Sequence, residues 1–179
     1  MLTPEQRIAK MGLVLPPPPA PAGAYLESKR VGRMLYLAGH GPIDGSSITT
    51  GVVGKDMTTA LAAAAAQLTG LSLLSTMRAA VGLDAVEGIV SVLGFVNCVP
   101  WFTDQPSVID GCSNLFLEVF GEAGKHTRSA IGVSSLPFGI PVEIECIALL
   151  REEPPPPPEP PPPPEPPPPP PSAKAKANK

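Results

Sequence analysis

The chain has 179 residues and a formal net charge of −3, a balance that offers nucleic acid no basic footprint. Of its 27 prolines, 16 lie between positions 154 and 171, which leaves a body of about 150 residues, long enough for one domain with a real core. The 3 cysteines, Cys98, Cys112 and Cys146, have no CxxC spacing and no neighbouring histidine cluster; that argues against a disulfide framework or a zinc site and points to reduced thiols in a core or interface.

The N-terminus has no basic stretch followed by an apolar one, and no uninterrupted apolar run reaches the ~20 residues that span a bilayer. A cytoplasmic protein without membrane contact is therefore expected. Residues 1–12 read as a helical turn, with Thr3 as N-cap, Pro4 in the first helical position and Gly12 as the stop. Pro16 to Pro19 force an extended, polyproline-like path that lays the N-terminus across the domain.

The domain proper is expected over residues 13–151. Residues 24–28 read as a short strand, 29–32 as a turn, and 33–39 (RMLYLAG) as a strand rich in β-formers. Glycines and Pro42 punctuate the following loop, and residues 46–53 are weakly extended. Asp56 is placed to cap a helix over 57–80, whose apolar residues Leu61, Ala64, Ala65, Leu68, Leu71, Leu74 and Met77 recur at helical spacing. The small residues Ala62 to Ala66 suit a close approach to the sheet, and Gly82 ends the helix. Residues 84–88 read as a turn or short helix. Residues 89–97 (IVSVLGFVN) read as a strand buried on both faces, because they are almost continuously apolar. A loop with Trp101 leads to a second helix, capped by Thr103 or Asp104, with Pro106 in its first turn, and running to Phe120 before Gly121 and Gly124.

Residues 125–150 read as a hairpin, with strands over 128–134 and 142–150 joined through Pro137, Gly139 and Pro141. Its strands carry Arg128, Glu143 and Glu145, and charge inside a strand is usually paired, solvated or used. The order of elements predicts an α+β fold with two helices on one face of a mixed sheet. The last strand alternates Val142, Ile144, Cys146 and Ala148 with Glu143, Glu145 and Ile147, which suggests subunits packed sheet to sheet with the carboxylates in a cleft between them.

Residues 152–179 read as a polyproline II spacer with Glu153, Glu159 and Glu165 every sixth residue and a basic tip of Lys174, Lys176 and Lys179. Its 18 residues from 154 to 171 reach about 55 Å at ~3.1 Å per residue. Two roles stay open: a solubilising tail, or a docking segment over 153–171 for SH3-, WW- or profilin-type partners.

Together, Ala22-Gly23-Ala24-Tyr25, Leu37-Ala38-Gly39-His40-Gly41-Pro42, Val81-Gly82-Leu83-Asp84, Arg128-Ser129-Ala130, Leu136-Pro137 and Val142-Glu143-Ile144-Glu145 resemble the Rid (reactive intermediate deaminase, YjgF or L-PSP) family. Gly94-Phe95-Val96-Asn97, 102–106 and 119–124 are similar to a divergent subgroup of unassigned activity. The resemblance implies a chorismate-mutase-like ββαβαββ fold, a homotrimer with sheets packed inward, and clefts between subunits. It implies cofactor-free hydrolysis of small carboxylated enamines or imines, such as 2-aminoacrylate, to 2-keto acids and ammonia. By position, Arg128 grips the substrate carboxylate and Glu143 orients water, while Tyr25, Gly39, Ala130, Ser113 and Asn114 line the binding site. Ala130 stands where deaminating members often carry Cys, Gly132 where many carry Glu, and Ser113 where a helix Asn is common. The alternatives are a non-catalytic trimeric metabolite binder or chaperone-like module whose tail recruits partners, and the ribonuclease or translation-inhibitor role often attached to the family, which the acidic body disfavours. His40 and His126 lack triad or metal spacing, and no metal motif is present.

Overall fold

Every second residue of the last strand is apolar, and that strand takes a central place in the sheet. The computed structural model describes residues 2–44 and 47–152; the expectations for the 153–179 tail fall outside them. The chain forms α1 (Pro4–Met11), β1 (Ser28–Val31), β2 (Met34–His40), β3 (Ile43–Asp44), β4 (Ser47–Ile48), α2 (Thr59–Val81), β5 (Val86–Asn97), α3 (Gln105–Phe120), β6 (Thr127–Val133) and β7 (Val142–Leu150). The main sheet has the order β1-β2-β7-β5-β6; β5 and β6 are parallel and the other neighbours antiparallel, while β3 and β4 form a separate pair. This is the expected mixed-sheet α+β architecture, with α2 and α3 on one face.

Residues 125–150 are not a hairpin. Strands β6 and β7 each pair with β5, which lies between them. The physical reason is the crossover through α3: a strand, helix and strand in succession return the chain parallel to its start, so β6 adds beside β5. The 137–141 segment then carries the chain across to β7 instead of closing a tight turn.

Three local expectations also shift. The first hairpin is β1 with β2, turning at Gly32 (φ 58) and Arg33, so the strand lies at 28–31 where a turn was expected. A left-handed residue is what a two-residue connection between antiparallel strands requires, and Gly32 supplies it. Strand β5 is not buried on both faces. Val86, Ile89, Val92 and Val96 face the core, while Leu93 and Phe95 on the other side are half-buried. Thr58, not Asp56, caps α2 by accepting from the Leu61 N–H; the Asp56 carboxylate accepts from the Val52 N–H at 2.6 Å and holds the preceding turn.

Helix α2 is long and apolar enough to cross a membrane by length and composition alone. Here Leu73, Leu74, Met77, Ala62, Ala65 and Ala66 are buried in the common core. The close approach of its small residues is to α3 rather than to the sheet. A Cβ on Gly111 would overlap the Ala63 carbonyl oxygen, and one on Gly70 would stand 2.9 Å from Leu115 Cδ2. Helix α1 has the expected Thr3 cap and Gly12 stop, closes a capping box with Gln6, and buries Ile8 in the same core. The Glu5 carboxylate accepts two hydrogen bonds from Arg78 on α2, at 2.9 and 2.6 Å.

Gly111→Ala forces α2 and α3 apart at their tightest contact, and overpacking of this kind costs about 1–3 kcal/mol. Denaturant unfolding of the variant is expected to show a loss in that range; stability equal to wild type would show that the helices tolerate separation.

Candidate functional site

The sheet register sorts the charged strand residues onto two faces. Arg128 stands beside Val92, which stands beside Cys146; Val92 and Cys146 are buried under the helices, so Arg128 and Ala130 belong to the helix-covered face at the β6 edge. Glu143 and Glu145 stand beside Phe95 and Leu93 on the uncovered face. Tyr36 and Ile131, both nearly half exposed, share that face.

At the β6 edge, Asp110 and Ser113, three residues apart on α3, meet the strand from above. Arg128 Nη1 donates to Asp110 Oδ1 at 2.7 Å and to Ser113 Oγ at 3.0 Å. His126 Nδ1 donates to the Gly124 carbonyl at 2.6 Å, which fixes the tautomer and leaves Nε2 as an acceptor, 3.0 Å from Ser113 Oγ. The Ser113 hydroxyl thus accepts from Arg128 and donates to His126. Burial, with the nearby Arg128 charge, holds His126 below its ordinary range against the opposing pull of the Gly124 carbonyl. Nη1 makes all of the hydrogen bonds of Arg128 among the described residues, and the side chain as a whole is 23% exposed. Its Nε/Nη2 edge makes no hydrogen bond among the described residues, and such an edge has the geometry that takes a carboxylate through two parallel bonds.

A second group collects where β2 meets β7. Tyr25, Gly39, His40, Phe138, Ile140 and Glu143 line a cleft of about 460 Å³. A Cβ on Gly39 would overlap Glu143 Oε1, so only glycine leaves the carboxylate its place. Burial, and then the charge of Glu145, push Glu143 above the ordinary carboxylate range. The Tyr25 hydroxyl accepts from the Ala22 N–H at 3.2 Å, which sets the ring at the cleft edge. Phe138 adopts φ 57, strained for a bulky residue, and is exposed on the rim. Asn97 Nδ2 donates to the Ile140 carbonyl at 3.2 Å and so ties the loop that carries Phe138 to the end of β5.

The predicted site residues therefore fall into two groups within one chain: Arg128, Ser113 and Ala130 in one, Tyr25, Gly39 and Glu143 in the other. Asn114 joins neither; it is exposed, a helical step of about 100° away from Ser113. Glu145 is exposed on the open face, among Lys29, Tyr36 and Leu93. Arg128 pairs with Asp110, not with either glutamate. Asp110 and His126 are the site groups that sequence reading missed. Asp110 and Ser113 at i, i+3 were a usable signal for one helix face, whereas no spacing links His126 to Ser113. His126 lies in the turn before β6, whereas His40 is buried at the end of β2, with Nδ1 on the Ala38 carbonyl at 2.8 Å and Nε2 2.7 Å from Thr76 Oγ1. The described residues hold no cluster of three or more metal-ligating side chains, and all three cysteines are buried and free.

A mixed sheet with two helices on one face and an arginine–carboxylate edge defines a chorismate-mutase-like α+β protein. The family described as "YjgF/chorismate mutase-like, putative endoribonuclease" matches residues 5–151, and the chain belongs to it. Protein TCP17 of Trypanosoma cruzi is 40% identical over 146 residues, covering 80% of this chain and 91% of that protein. The crystal structure of Atu1372 from Agrobacterium tumefaciens, of unknown function, is 36% identical with a TM-score of 0.75, covering 83% of this chain and 92% of that one. A structure from Shewanella oneidensis MR-1, named as a putative endoribonuclease, is 31% identical with a TM-score of 0.80, covering 83% of this chain and 100% of that one.

Burial lowers His40, against the Ala38 carbonyl and the Glu27 charge, as it lowers His126. Groups depressed in the fold add stability that is complete above their unfolded midpoint, about pH 6.5, and lost as pH falls through the folded one. Glu143 has the opposite sign: raised in the fold, it adds stability in acid that is lost as pH rises through its folded midpoint. Thermal melting from about pH 8 to 5 is expected to show a falling midpoint below about pH 6.5; a midpoint that rises throughout would show that Glu143 outweighs both histidines.

Proposed function

We propose that this protein hydrolyses small carboxylated imines and enamines of the 2-aminoacrylate type to 2-keto acids and ammonia, at clefts between three copies of the chain and without a cofactor. The observation that carries the reading is the open edge of Arg128. Asp110 and Ser113 fix one nitrogen of the guanidinium and leave a preorganised fork for a carboxylate. The imine carbon is already electrophilic, so the site needs a placed water and proton transfer, not a covalent nucleophile. Glu143 suits that task, because a carboxyl raised by burial exchanges protons closer to neutrality. An enamine substrate first moves a proton from its nitrogen to its terminal carbon to give the imine; water then adds to the C=N carbon, its two protons end on the nitrogen, and the C–N bond breaks as the C=O bond forms, releasing ammonia.

In one chain Arg128 and Glu143 lie on opposite faces of the sheet, so assembly is part of the proposal: Glu143 of one copy faces Arg128 of the next. Ala130 lines the anchor strand without a thiol, which agrees with a mechanism that uses none. The endoribonuclease name of the family and of the Shewanella structure finds little support in the charges, because the site's one guanidinium is paired with Asp110 and the net charge is −3.

Ammonia release from 2-aminoacrylate generated in situ tests the reading. Arg128→Ala is expected to lower kcat/KM at least about 100-fold, and Arg128→Lys to recover little of it, because a point charge cannot replace the fork. Glu143→Gln is expected to lower kcat by about 10²–10⁴. Wild-type protein that fails to outpace buffer on several amino-acid-derived imines would end the deaminase reading.

A further inference from the structure

Phe138 breaks a local rule at the rim of the Glu143 cleft. Pro137 to Ile140 form a turn, closed by the Ile140 N–H on the Pro137 carbonyl at 3.3 Å. Both central residues are left-handed, Phe138 at φ 57 and Gly139 at φ 69. A turn with two positive φ angles selects Asn, Asp or Gly at its first central position. Phenylalanine there brings its Cβ too close to the following carbonyl oxygen.

Packing within the chain does not offset this cost. Phe138 is 72% exposed and lies outside the buried core. Nor is the turn free to relax. The Gly139 carbonyl accepts from the Gly51 N–H at 3.0 Å, the Ile140 carbonyl from Asn97 Nδ2 at 3.2 Å, and the Pro141 carbonyl from the Asn97 N–H at 2.8 Å. Pro137 and Pro141 have fixed φ on either side. Strain that the surroundings over-determine, at a residue whose ring the fold leaves uncovered, points to a use for the ring outside the fold.

We propose that Phe138 is the specificity-determining residue of the Glu143 cleft: its ring, held at the rim by the strained turn, covers the side chain of a bound imine and favours larger apolar side chains over the bare methylene of 2-aminoacrylate. The proposal rests on the reading of this cleft as the place of hydrolysis. Phe138 lines the cleft together with Gly39 and Glu143, so an imine attacked by water on Glu143 lies beside it. The volume of about 460 Å³ leaves room beyond a three-carbon imine, and Ile43, Ile48 and Ile140 make the remaining wall apolar. A ring carried on a pinned backbone also gives up little freedom when it makes such a contact.

The test uses the full chain, with 2-aminoacrylate generated in situ and with the imine of leucine generated from leucine by an amino-acid oxidase. Phe138→Asn gives the turn the Asn-Gly pair it selects. It is expected to raise the thermal midpoint by about 2 °C. It is also expected to lower the ratio of kcat/KM for the leucine imine to that for 2-aminoacrylate at least about tenfold, mainly through KM, as the loss of one apolar contact does. Phe138→Leu keeps both the strain and an apolar side chain; it is expected to keep the wild-type midpoint and to recover part of the ratio. A midpoint of Phe138→Asn below wild type would show that the ring holds the fold, and a change in its molar mass in solution would show that the ring holds a second copy; either result overturns the proposal. If Phe138→Asn hydrolyses 2-aminoacrylate and its ratio equals that of wild type, Phe138 has no such role and the deaminase reading stands. If wild type hydrolyses neither imine, the deaminase reading fails and this one fails with it.

Discussion

The register of β7 between β2 and β5 decides where each chemical group of this protein lies. Val142, Ile144, Cys146, Ala148 and Leu150 are buried on the helix-covered side, so the pleat places Glu143 and Glu145 on the other. A slip of one residue would bury two carboxylates and expose five apolar side chains, and this penalty holds the strand in place. The same register sets Glu143 against Gly39 on β2, where no other residue leaves the carboxylate room. The cleft is thus a consequence of core packing one layer below it.

The anchor depends on the core in the same way, through α3. Gly111 lies between Asp110 and Cys112, and it lets α3 settle against the α2 backbone at Ala63. That contact fixes the rotation of the helix, and rotation decides whether Asp110 and Ser113, on the adjoining face, reach Arg128. Placing a guanidinium beside a carboxylate needs tolerances of a few tenths of an ångström, since a charge-assisted bond weakens quickly outside about 2.7–2.9 Å. A close-packed helix pair supplies such tolerance and a surface loop does not.

The elements were legible where local physics decides them. Thr3, Gly12, Pro106 and the β-rich run at 34–40 define their own boundaries, and the alternation in β7 announced one covered and one open face. Strand partners were not legible. Parallel pairing of β6 with β5 depends on how α3 returns the chain, and two adjacent apolar strands in sequence look alike whether they pair with each other or with a third. The apolar look of β5 misled for a related reason: Leu93 and Phe95 are apolar but only half-buried, with no described helix on their face. Arg128, Glu143, Tyr25 and Gly39 could be named from motifs, but their partners could not. Asp110 and Ser113 on a helix, His126 in a turn and Arg128 on a strand converge, and only the last two residues before β6 bring the imidazole under the helix. Asn114 shows the limit of a one-residue uncertainty on a helix, where a single step turns a side chain from the site to solvent.

The division of the site carries the strongest constraint on mechanism. Strand β5 separates β6 from β7, which puts Arg128 and Glu143 about 10 Å apart across the strands at ~4.8 Å per spacing, a further ~10 Å apart along them at ~3.3 Å per residue because Arg128 is in register with Cys146, and on opposite faces. No rotamer of either side chain brings both to one small imine within a single chain. Each half is nevertheless complete in itself. The guanidinium is braced by two neighbours with one edge free, and the carboxylate is desolvated beside a glycine that keeps its approach clear. Bracing a guanidinium and burying part of a carboxylate both cost stability, so each arrangement is one that a functional role would repay. Half-sites built to this standard on the two faces of one sheet have a use when a second copy supplies the missing half. On the proposed reading, an assembled cleft would account for why, among the described residues, Arg128 is engaged through one nitrogen and Glu143 has no ion-pair partner.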